Sequence, residues 1–218
     1  MATAILFSEA LRERTAIRST APSASERFMT DLLSGRSSRD DYIALVAQNY
    51  FVYGALERAA EQRAADPVAA AFISPALTRL PAIREDLRFL IGDDWQDAIS
   101  PLATTARYVD RIDSHAATST GAFVAHHYTR YLGDLSGCAI IRTIMQRQFG
   151  FETNGVGFYL FAGIAKPKEF KSTYRAQLDA AGWNDEERES VIAEVGVAHR
   201  LTEELFEDLG AGRHRRAA

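Results

Sequence analysis

Gly133 and Gly137 stand four residues apart in AHHYTRYLGDLSGC, residues 125–138, a stretch that otherwise carries the apolar spacing of an amphipathic helix. Residues four apart share a helix face, and each glycine costs about 1 kcal/mol relative to alanine in a helix interior. The pair leaves a strip of bare backbone that either a flat ligand or a second helix can approach closely. Asp134 puts a carboxylate beside that strip, and Tyr128, Arg130 and Tyr131 supply hydrogen-bond donors nearby. A lone carboxylate is costly in a dry helix contact, but beside a bound planar ligand it can hold an ordered water. The pattern therefore suits recognition of a planar group with a water managed at its face.

Other chemistries fit poorly. A di-iron centre in a helical bundle needs Glu-x-x-His pairs, and none of His115, His126, His127, His199 and His214 has a glutamate three residues before it. His126 and His127 are adjacent, so they point about 100° apart on a helix and cannot share one metal; they read as surface or core-edge residues. The single cysteine, Cys138, excludes an intrachain disulfide and a multi-cysteine metal site, in keeping with a reducing compartment. The net charge of −4, with no basic tract before the short tail of Arg213, His214, Arg215 and Arg216, argues against nucleic acid as a partner. No apolar run approaches the ~18 residues needed to cross a bilayer, so membrane insertion is not expected and the expected location is cytoplasmic.

The elements that must position these residues read as helices throughout. Apolar residues recur at helical spacing, alternating strand patterns are missing, and the fold class is all-α. With 218 residues, 47% of them hydrophobic, the chain can bury a full core. Residues 1–210 are expected to form a single-domain helical bundle, and 211–218 a short basic tail. The first helix is expected over 3–19 and breaks near Pro22, with helical pattern resuming through Phe28, Met29, Leu32 and Leu33. Ser38 with Asp41 forms a capping-box pattern opening a long helix through Glu61, and Asp66 before Pro67 opens the next. Further helices are expected over 75–90, 102–115, 120–150 and 168–181, the third of these bent near its glycines and stopped by Gly150. The last opens at Asn184 with Glu187 in capping-box position and closes at Gly210.

The run HYTRYLGDLSG, with FMTDLLSGR, NYFVYGALE, RYVDRI, GFYLFAGI and FKSTYRAQL, resembles heme oxygenase of the biliverdin-producing, bacterial type, and the resemblance extends in order over roughly 6–210. It implies a fold in which two helices sandwich heme, with Gly133 and Gly137 on the kinked distal helix against the porphyrin. It gives Asp134 the central catalytic role, holding a distal water that steers oxygen activation toward the porphyrin edge. Arg130, Tyr53 and Tyr108 match the surrounding hydrogen-bond network, and Thr202 stands where the family has an asparagine. Lys171 and Arg175, four apart on one face, match the cations that anchor heme propionates, with Tyr128 and Arg12 as further candidates and Thr129 beside them. Phe28, Met29, Phe158, Tyr159 and Phe161 are the implied apolar walls.

The position of the iron ligand departs from the family. The proximal histidine that ligates iron falls here at Ser19 or Thr20, in the segment interrupted by Pro22, and no histidine precedes His115. His199, on an inward stripe with Val195 and Thr202, is the surrogate axial ligand. Cys138 replaces the second glycine of the family's Gly-Gly pair and reads as a small buried thiol. The implied function is heme binding with oxidative cleavage to biliverdin, CO and ferrous iron, using O2 and external electrons from a separate reductase. The alternative is a non-catalytic heme- or tetrapyrrole-binding regulatory protein of the same fold.

Overall fold

The computed structural model describes residues 5–15 and 24–216. Among these residues the chain forms α1 (Phe7–Arg14), α2 (Ala24–Leu33), α3 (Arg39–Arg63), α4 (Pro67–Ala70), α5 (Leu80–Ile91), α6 (Trp95–Ala98), α7 (Ala103–Arg111), α8 (Thr120–His127), α9 (Gly133–Phe149), α10 (Pro167–Ala180) and α11 (Asp185–Arg216), and no strand. Pro75–Leu77 and Gly157–Tyr159 are 3-10 turns, and Ile112–Ala116 and Tyr128–Leu132 are π-helical turns. No described helix is long and apolar enough to cross a membrane.

Local chemistry sets most boundaries. The Ser38 side chain accepts from the Asp41 N–H and the Asp41 carboxylate accepts from the Ser38 N–H, a reciprocal cap on α3. Asp66 Oδ1 accepts from the N–H groups of Val68 and Ala69 ahead of α4. Asn184 and Glu187 exchange side-chain-to-backbone hydrogen bonds of 2.9 Å at the start of α11. Gly150 ends α9 in the left-handed conformation, φ +70°, which glycine adopts without steric cost. Glu57, from α3, caps α5 across the fold by accepting from the Arg79 and Leu80 N–H groups.

Five expectations need correction. The first helix ends at Arg14, not at residue 19; the Thr15 hydroxyl and N–H both return to the Leu11 carbonyl and close the turn. The segment at 75–90 divides into a 3-10 turn and α5, and the 120–150 run carries its π-helical interruption before the glycines. The last helix passes Gly210 and Gly212 and continues to Arg216: an interior glycine costs only about 1 kcal/mol, and Leu209 beside them is buried. His126 and His127 are fully buried, not surface or edge residues. Ser19, Thr20 and Pro22 lie outside the described residues.

α2 and α8 pack along α11, and α5 packs along α3. Leu32, Leu56, Leu87, Phe123, Leu178 and Val195, drawn from six helices, belong to one buried cluster. α9 borders it at one side, burying Cys138 and Met145 while its glycine face stays outside the packing.

Candidate functional site

A cavity of about 640 Å³ lies between α2, α3, α9, α11 and the turn Gly157–Tyr159. That volume falls within the ~300–1,000 Å³ typical of small-molecule sites. α9 contributes Gly133, Asp134, Gly137, Cys138 and Ile141; α11 contributes His199, Thr202, Glu203 and Phe206. Ser25, Glu26 and Met29 of α2, Leu45 and Asn49 of α3, Thr129, Arg130, Phe158 and Tyr159 complete the lining.

The glycine face decides between the two readings of the strip. A Cβ built on Gly133 or Gly137 meets nothing within 4 Å, so no neighbouring helix uses the space that the missing side chains leave. The bare backbone opens onto the cavity instead. A cradle that a Cβ would partly fill, walled by apolar Met29, Ile141, Phe158 and Phe206, fits a flat apolar group such as heme.

Asp134 sits in this face with its Oδ2 accepting from the Tyr53 hydroxyl. Tyr53 is fully buried and packs edge-on against Tyr131 (5.5 Å) and Phe158 (5.1 Å). The Arg130 guanidinium lies 5.1 Å over the Tyr53 ring and donates to Asn49 Oδ1 at 2.9 Å. Burial pushes the Asp134 carboxyl above its ordinary range, against the pull of Arg130, the Tyr53 hydroxyl and Arg79. Burial alone would lower Arg130, but the surrounding Tyr53, Asp134 and Tyr108 outweigh it and hold the guanidinium charged. Burial likewise raises the Tyr53 and Tyr108 phenols; Arg130 and the Thr202 hydroxyl oppose it at Tyr108. The cluster joins a fixed positive charge, a carboxyl that holds its proton more tightly than usual, and a phenol bonded to it. Such a set can hold water and pass protons at the cavity wall.

The wall is braced from behind by charged residues that the sequence did not single out. Arg79, 5% exposed, donates to the carbonyls of Leu77, Ala76, Phe158 and Leu160, and stacks 3.9 Å over Phe161. Asp86 of α5 accepts from the Gly157 and Phe158 N–H groups at 2.9 and 2.7 Å. Together they fix the turn that presents Phe158 and Tyr159. Asn49 was also missed; its position one turn before Tyr53 on α3 was the available signal.

The remaining sequence candidates fall at different depths. Met29, Thr129, Tyr159, His199 and Thr202 line the cavity. Phe28 and Phe161 stand behind the lining, Phe28 stacking at 5.9 Å on Phe206 and Phe161 beneath Arg79. Tyr53 and Tyr108 sit one layer deeper. The charges of Arg175 and Arg12 both act on the Tyr128 phenol, and burial pushes that phenol up against them. Lys171 Nζ donates to Ser136 Oγ of α9 at 2.9 Å and borders a second cavity of about 560 Å³ with Lys166 and Lys168. The buried histidines are committed elsewhere: His126 Nε2 bonds Glu194 at 2.9 Å, and His127 Nδ1 bonds the Tyr174 hydroxyl at 3.0 Å. No group of three or more His, Cys, Asp and Glu side chains is placed to hold a metal ion among the described residues.

The fold and the cavity define an all-helical protein with a mostly apolar cleft laid against a Cβ-free helix face. The family model described as heme oxygenase matches residues 6–208, and the chain belongs to the heme oxygenase family. It is 37% identical over 208 residues to heme oxygenase 1 of Rattus norvegicus, covering 94% of this chain and 72% of the relative. The crystal structure of heme oxygenase-1 from the cyanobacterium Synechocystis in complex with heme superposes with a TM-score of 0.88 at 32% identity, covering 98% of this chain and 96% of that one. The heme oxygenase of Leptospira interrogans gives a TM-score of 0.85 at 31% identity, covering 94% and 100%.

Proposed function

We propose that this protein binds heme in the cleft along α9 and cleaves it to biliverdin, CO and ferrous iron, with O2 and electrons from a separate reductase. The observation that carries the reading is the glycine face. Gly133 and Gly137 open onto the cavity with no packing partner, and half-buried Asp134, bonded to fully buried Tyr53, stands between them. Membership of the heme oxygenase family supports the same activity. Residues 1–210 are read as one heme-binding domain.

Heme, when bound, supplies the iron at which O2 is activated and the ring that is opened. The chain's own residues orient it and manage protons. Asp134 holds a water at the glycine face, with its carboxyl fixed by the Tyr53 hydroxyl. Arg130, held by Asn49, keeps a positive charge beside that carboxyl. Tyr108 and Thr202 close the cluster on the α7 and α11 sides. Lys171, Arg175 and Arg12, with Tyr128 among them, pair with the propionate carboxylates at the mouth. Met29, Phe158, Tyr159 and Phe206 exclude bulk water, which strengthens every polar interaction inside.

Titration of the purified protein with hemin tests this reading. The expected result is a saturable Soret band, then bilin absorbance and CO release on addition of ascorbate or a reductase. Asp134→Ala retains hemin and loses bilin formation by about a hundredfold. Saturable binding without bilin from the unaltered protein removes the enzyme and leaves a non-catalytic tetrapyrrole binder. No saturable binding removes both.

A further inference from the structure

We infer that His199, on α11, is the axial ligand of the heme iron in this chain. The inference rests on the heme-binding reading above and concerns which residue completes it. The family resemblance gives that role to the first helix, but α1 ends at Arg14 and the chain has no histidine before His115.

Among histidines whose side chains are described, only His199 lines the cavity. His126 and His127 are held by Glu194 and Tyr174, and the exposed His115 bonds Ser114 and Arg111. His199 shares the cavity with Gly133 and Gly137 but comes from a different helix, as an iron ligand facing a Cβ-free helix must. It lies on a fixed wall: Val195, one turn earlier, is fully buried, and Thr202 and Phe206, further along α11, line the same space.

The other heme-ligand types in the lining are worse placed. Cys138 is buried on α9 itself, four residues beyond Asp134, on the helix that carries the glycine face. Tyr159 is buried against Tyr42 and Phe158. Met29 offers a thioether, a ligand that proteins pair with a histidine.

The test is spectroscopic. The hemin-loaded protein, reduced to the ferrous state, is expected to show an iron–histidine stretch in resonance Raman. His199→Ala should lose that band, shift the ferric Soret and weaken hemin binding by about tenfold or more, and added imidazole should restore the ligand spectrum. His199→Phe, which keeps the ring volume, should give the same loss and guards against a folding defect, monitored by circular dichroism of the apo-proteins. An unchanged spectrum in both variants, or no iron–histidine band in the parent, overturns the inference and leaves heme binding standing. Absence of saturable hemin binding by the parent overturns the heme reading and the ligand with it.

Discussion

Adjacent residues His126 and His127 meet the same problem, burial of an imidazole, with different partners. His126 faces Glu194, which Arg111 also engages through two hydrogen bonds. Burial pushes the Glu194 carboxyl up, but Arg111 and His126 outweigh it and hold it down at about 2. His127 has only the neutral Tyr174 hydroxyl and aromatic neighbours, and burial pushes it from 6.5 down to about 3. The unfolded chain therefore takes up a proton near pH 6.5 that the folded chain refuses until about pH 3. Stability contributed by the neutral ring is complete above pH 6.5 and is lost as pH falls toward 3, at a slope of up to about 1.4 kcal/mol per pH unit. His127→Phe should lose about 1 kcal/mol at pH 7, because Tyr174 loses its partner, and should remove that slope. Urea unfolding at pH 7, 6 and 5 measures both; parallel pH profiles for parent and variant would sink the assignment to His127.

At the scale of the element, α9 separates stability from function. Each glycine costs about 1 kcal/mol as an interior residue, and a Cβ at Gly137 meets nothing within 4 Å. Gly137→Ala should therefore raise the stability of the heme-free protein by about 0.5–1 kcal/mol while weakening hemin binding, and Gly137→Leu should abolish binding with the fold intact. Chemical denaturation and hemin titration on the same samples check it; a variant destabilised without hemin would mean that the bare face serves packing after all. The glycine pair was legible in the sequence because its signal is local, as were the caps at Ser38, Asp66 and Asn184 and the stop at Gly150. What escaped the sequence depends on residues distant in the chain. Arg79 and Asp86 matter because the turn at 157–161 comes to them, Asn49 because Arg130 does, and Phe28 stands behind the wall because Phe206 covers it. The early end of α1 at Thr15 and the passage of α11 through Gly210 are weak local preferences settled by neighbouring turns.

For the whole molecule, the cavity is a meeting point of segments far apart in sequence: 25–29, 45–49, 129–141, 158–159 and 199–206. A ligand filling it binds the folded chain and not the unfolded one, so binding and stability are linked. Hemin at a hundred times its Kd should add about 2.7 kcal/mol, which for a chain of this size is a rise in Tm of roughly 5–10 °C. The gain should be largest where the ligand adds contacts, on the cleft-lining faces of α2 and α11, and in the short α1 beside α11. α1 is eight residues long, and the short contacts that tie it to the later helices are Ser8 to Asp179 and Arg14 to Glu189. Hydrogen exchange with and without hemin should accordingly show the strongest new protection in α1, α2 and the facing turns of α11. Gly137→Leu, with the cleft blocked, should show neither that protection nor the rise in Tm. Hemin adsorbed on the surface would behave differently, shifting parent and variant alike without saturation, and that outcome would detach ligand binding from the cleft altogether.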